Sequence, residues 1–74
     1  MSNAEPSPDP TLTAQQFRVM LLLCQELSAK EIAAQMNVNV KTVEYHKKGL
    51  FARLGVRNMV GIVKYAIRNG YYQE

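Results

Sequence analysis

The chain has 74 residues, nine Lys and Arg against six Asp and Glu for a net charge of +3, and 47% hydrophobic residues. That length suits one small domain, which hides only roughly 60% of the surface its unfolded form exposes. No apolar run approaches the length of a membrane span, and the single cysteine, Cys24, excludes an internal disulfide and a multi-thiol zinc site, so a cytoplasmic domain with no cofactor or metal is expected.

The first ten residues contain neither the basic nor the apolar segment of a secretory signal. Ser2-Asn3-Ala4 resembles a tag-cleavage scar, and three prolines among residues 5–10 predict an extended, disordered linker over residues 1–10, with the domain proper at 11–74. Glu5 and Asp9 fall in this lead-in, so residues 11–74 alone carry +5. A charge of that sign points to a polyanion, nucleic acid before membrane. A lead-in of that composition points to a regulatory domain preceding this one in a larger protein.

Beyond Pro10, helix punctuation occurs four times, and no alternating apolar run or hairpin dipeptide suggests a sheet. The predicted fold is all-α, a four-helix bundle containing a helix-turn-helix. Thr13 and Gln16 form a capping box with Leu12 placed to staple the entry, and Val19, Met20, Leu22 and Leu23 carry the first helix to about Glu26. Cys24 lies in that apolar stretch and reads as a small core residue. Ser28 and Glu31 form a second capping box, opening a short helix that halts at Asn37-Val38-Asn39. Asn39 caps a third helix from Val40 to about Leu54, ended by Gly55; Asn58 caps a fourth that runs to Arg68 before Asn69-Gly70.

A helix-turn-helix needs a small residue where its two helices nearly touch and a turn residue that tolerates a left-handed backbone. Ala33 and Asn37 meet these demands, and Ile32, Met36, Val38 and Val43 have the offsets that fill the space between the helices. An ordinary helical hairpin shares these small and apolar residues. Projected at about 100° per residue, the third helix turns Val43, Leu50 and Leu54 one way and Lys41, Glu44, Tyr45, Lys48 and Ala52 the other. Between Lys41 and Arg57 stand five cations and one anion, so the basic patch coincides with the motif.

Base edges in the major groove demand donors, acceptors and apolar contacts, whereas phosphates demand positive charge and simple donors. Glu44, Tyr45 and Lys48 are therefore the candidate base readers: Lys48 for guanine acceptors, Glu44 for a cytosine amine, Tyr45 for a thymine methyl or a phosphate. Lys30, Lys41, Thr42, His46, Lys47, Arg53 and Arg57 are the candidate backbone contacts. His46 also suits local packing at the edge of the core face. Gly49, which costs the helix about 1 kcal/mol, is either slack or room for close approach to DNA.

Leu12-Thr13, Leu27-Ser28-Ala29-Lys30-Glu31-Ile32-Ala33, Thr42-Val43-Glu44-Tyr45-His46 and Arg53-Leu54-Gly55-Val56-Arg57-Asn58 together resemble the LuxR-type DNA-binding domain, also called GerE-type or NarL/FixJ-type. The resemblance covers residues 12 to about 71. It implies a bacterial transcription regulator, in particular the output domain of a response regulator, with four helices of which the third reads double-stranded DNA and the fourth dimerises. It further implies RNA polymerase as a partner. The family's base-contacting positions fall on Glu44, Tyr45 and Lys48, and its backbone-contacting positions include Thr42, His46 and Lys47. Four positions depart from the family pattern: Gln16 replaces Glu, Glu26 the Gly that ends helix one, Asn39 a Ser, and Met59 an Arg. Gln16 and Met59 cast doubt on an inter-helix ion pair, and Glu26 requires another close for the first helix.

On the fourth helix, Ile62 and Ala66 set the inward direction while Val60, Val63 and Ile67 widen the apolar surface. Val60, Lys64 and Ile67 are the expected two-fold contact of a homodimer; the alternative is burial under the Tyr71-Tyr72 tail. Phe17 and Leu21, on the outer side of the first helix, are the expected docking patch for the regulatory domain. Two rival functions remain, a sigma-factor-like promoter-binding domain and a helical protein-interaction module. Catalysis is not expected, because the scattered acids, one His and one Cys make no catalytic constellation.

Overall fold

The computed structural model describes residues 7–73, and the elements follow in the order α1 (Ala14–Cys24), α2 (Ala29–Met36), α3 (Val40–Leu54) and α4 (Met59–Arg68). Both capping boxes are formed. Thr13 Oγ1 accepts from the Gln16 amide at 3.0 Å while Gln16 Oε1 accepts from the Thr13 amide at 3.0 Å. Ser28 and Glu31 repeat the exchange at 3.1 and 2.8 Å, and the Ser28 amide holds the Glu31 carboxyl below its ordinary pKa. Asn39 and Asn58 cap α3 and α4 through their side-chain oxygens.

All four helices close in one way. A residue with a left-handed backbone follows each, Glu26, Asn37, Gly55 and Gly70, and the next amide reaches back five residues to a helix carbonyl, as in Leu27 N–H to Leu22 O at 3.4 Å and Val38 N–H to Ala33 O at 3.0 Å. At three of these sites the chain supplies Gly or Asn, which adopt that conformation readily. At Glu26, with φ 65°, it does not. Hence α1 ends at Cys24, with the same close that a glycine would give it.

Helix α1 is central, packing on α2, α3 and α4, while α2 packs on α3. Val19, Met20, Leu22, Leu23 and Cys24 of α1 meet Ile32 and Ala33, Val43 and Leu50, and Ile62 and Ala66 in one core, with Leu12 closing it at the entry to α1. Burial raises the Cys24 thiol pKa, which disfavours the reactive thiolate. Val38, expected between α2 and α3, instead stands 37% exposed: its amide is tied to Ala33, and the turn at Asn37 carries the side chain outward. Gly61 permits a close crossing, since a Cβ there would lie 2.6 Å from Val56 Cβ.

The folded body begins before residue 11, which corrects the linker expected over 1–10 where residues 7–10 are concerned. Residues 1–6, including the expected tag scar, lie outside the described residues. Asp9 is only 3% exposed. Its carboxylate accepts from the Thr11 amide at 2.8 Å, from the Tyr71 hydroxyl at 3.1 Å and from the Tyr65 hydroxyl. These bonds, led by Tyr65, keep the Asp9 pKa below its ordinary value, and the same contact raises that of Tyr65. Proline content suggested an extended chain because it does not register a carboxylate that finds two hydroxyl donors, Tyr65 and Tyr71, on distant segments.

The same corner corrects the docking patch. Phe17 and Leu21 are half-buried, and the chain, turning at Gly70, lays Tyr71 edge-on against Phe17 with ring centres 4.9 Å apart. At Phe17 the chain's own tail occupies part of the place expected for a partner.

Candidate nucleic-acid interface

The tight turn from Asn37 to Asn39 sets α3 against α2, and buried Val43 and Leu50 fix the rotation of α3 about its axis. One stripe of α3 is thereby sealed and the remainder presented outward. Glu44, Tyr45 and Lys48 are all exposed, Tyr45 to 75%. Among the described residues, none of the side-chain hydrogen bonds involves these three. They are available for an external partner. Tyr45 and Lys48 border a shallow cleft with Gln16, Gly49 and Ala52.

The residues expected at the phosphate backbone divide. Lys30, Lys41 and Arg57 are exposed, and Lys47 is half-buried on the flank of the outward face. His46 is half-buried with its ring edge-on to Tyr45 at 5.5 Å, so it packs locally while leaving part of its surface open. Thr42 has both donors engaged, its amide and its hydroxyl meeting Asn39 Oδ1 at 2.9 and 3.1 Å. Arg53 uses Nε to grip the Thr11 carbonyl at 2.8 Å, tying α3 to the segment before α1. Arg53 also lines a cleft with Gln16, Gly49 and Ala52.

The room at Gly49 serves α1. A Cβ there would lie 2.8 Å from Gln16 Nε2, the amide end of the residue that closes the first capping box. Sequence reasoning left slack and DNA approach open at this glycine, and it missed Gly61 altogether. An Asn cap followed three residues later by Gly offers no local hint that Val56 occupies the space.

On α4, Val60 is 61% and Ile67 46% exposed, and Lys64 is exposed beside them. Of the tail that was the alternative occupant, Tyr71 has gone to Phe17 and the Asp9 corner. The α4 stripe is free for another surface. Among the described residues, no helix is long and apolar enough to cross a membrane.

A hairpin of α2 and α3 that is packed on the core along one stripe and presents a polar, cation-flanked helix face defines a helix-turn-helix domain of the kind found in DNA-binding transcription regulators. The profile of the bacterial regulatory proteins of the luxR family matches residues 10–66, and the chain belongs to that family. It is similar to the oxygen regulatory protein NreC of Staphylococcus aureus strains JH9, JH1 and USA300, with 33% identity over 61 residues in each case. The alignment takes in 82% of this chain but 28% of those relatives, so the chain spans under a third of the proteins it matches.

Proposed function

We propose that the domain binds double-stranded DNA sequence-specifically by inserting α3 into the major groove. The carrying observation is the exposed set Glu44, Tyr45 and Lys48 on a helix whose opposite stripe is locked into the core. Lys48 donates to guanine O6 and N7, Glu44 accepts from a cytosine amine, and Tyr45 offers its ring to a thymine methyl. Lys30, Lys41, Lys47 and Arg57 meet phosphates, joined by the free end of Arg53; Thr42 supports the cap, and His46 supports Tyr45. Binding, with no bond made or broken, is the whole activity.

In the larger protein this domain is the output module of a cytoplasmic response regulator, a reading supported by the greater length of the relatives, of which the match covers 28%, and by their being oxygen regulatory proteins. Val60, Lys64 and Ile67 form a two-fold contact that sets two copies of α3 about one DNA turn apart. The regulatory domain and RNA polymerase are the protein partners of that reading.

The test is affinity for duplex DNA as a function of salt. Each phosphate neutralised lowers the slope of log K against log salt by about 0.9, so a footprint of several phosphates gives a steep decline. Absence of a complex at low salt, or an affinity indifferent to salt, would overturn the proposal in favour of a protein-interaction module.

A further inference from the structure

Five large hydrophobic side chains are exposed among the described residues: Val38, Val40, Tyr45, Val60 and Ile67. Two belong to the α4 stripe. Of the other three, Val38 lies in the turn before α3, and Val40 and Tyr45 stand exposed in the first two turns of α3. Val40 is the first residue of α3, directly after the Asn39 cap, and is 40% exposed. It stands one helical turn before Glu44, and residues so spaced have Cβ atoms about 5–6 Å apart.

An exposed valine at the leading end of a helix that enters the major groove can meet an apolar group there. The edges of the bases offer one such group, the C5-methyl of thymine; their other features are hydrogen-bond donors and acceptors. The leading residues of a recognition helix are also those closest to the bases. Resting on the proposed major-groove reading, we infer that Val40 is a specificity-determining residue that recognises a thymine by its methyl. Base pairs are stacked about 3.4 Å apart along the duplex, so the separation between Val40 and Glu44 places that thymine within two base pairs of the one read by Glu44. Val38 belongs to the turn, its amide engaged in closing α2, and is the control.

The experiment enriches a binding site from random duplexes, then replaces each thymine singly by deoxyuridine, which removes the methyl and leaves the pairing edge intact. Wild-type protein should bind about three- to fourfold more weakly at one such position or more, the worth of one buried methyl. Val40→Ala, checked by circular dichroism for an unchanged fold, should bind thymine and deoxyuridine equally at one position that wild type distinguishes. Val38→Ala should keep the wild-type pattern. Overturning results are an enriched site indifferent to every replacement, or a Val40→Ala protein with the wild-type ratio at every thymine. Failure to enrich any site would instead sink the major-groove reading itself.

Discussion

Asp9 and Lys48 are both charged, and the fold treats them in opposite ways. Asp9 is withdrawn from water and surrounded by donors from Thr11, Tyr65 and Tyr71, so its charge is spent within the protein, fastening the start of the domain to α4 and the tail. Lys48 lies on an exposed stripe beside Glu44 and Tyr45. The contrast separates a polar cluster that builds the domain from one that the domain presents. It also shows that a charged side chain in a small basic protein cannot be assigned to either role by its type.

If the division is real, changes at the two places should have non-overlapping effects. Asp9→Ala leaves two tyrosine hydroxyls without their acceptor, and because hydrogen bonds to charged groups are the stronger kind, it should cost about 3 kcal/mol of stability in urea unfolding. Its DNA affinity, measured where the variant is fully folded, should equal that of wild type. Lys48→Ala should do the reverse, weakening binding to an enriched site by about 2 kcal/mol and relaxing preference at one base pair, with unfolding unchanged. Lys47→Ala, by comparison, should weaken enriched and random duplexes alike and make the salt dependence shallower.

Acid sharpens the comparison. The folded Asp9 pKa lies below its ordinary 3.8, so its contribution is complete above that value and is lost as pH falls through the lowered folded pKa. Thermal unfolding followed below about pH 4 should show a smaller pH slope for Asp9→Asn than for wild type. Equal slopes would mean that the carboxylate is not the charged member of the cluster.

The smallest expected effect lies outside both clusters. Glu26→Gly relieves a left-handed backbone that costs an ordinary residue about 1–2 kcal/mol, offset in part by the greater freedom of glycine when unfolded. A net gain of about 1 kcal/mol, with DNA affinity unchanged, is expected in the same urea titration. A loss would show that the Glu26 side chain does something the helix closure does not explain.

Much of the fold was legible because its signals are local. A capping residue and its partner lie three positions apart, a closing residue follows its helix directly, and apolar spacing repeats within a turn, so the limits of α2, α3 and α4 and the rotation of α3 could be read from neighbours. The candidate base readers were legible for the same reason, as the complement of a core stripe. Val38 misled because a turn interrupts the helical period on which its placement relied.

What the amino-acid order settled unaided was the number of helices, their caps and which side of α3 stays polar, all properties of residues within a few positions of one another. Tertiary structure alone decided that Asp9 would meet Tyr65 and Tyr71, that Tyr71 would cover Phe17, that Gly49 and Gly61 would admit Gln16 and Val56, and that Arg53 would hold Thr11. Apart from Gly61 and Val56, which meet across the short link between α3 and α4, each of these depends on two distant segments brought together by packing, most of them more than forty residues apart in the chain, and no local pattern encodes such a meeting.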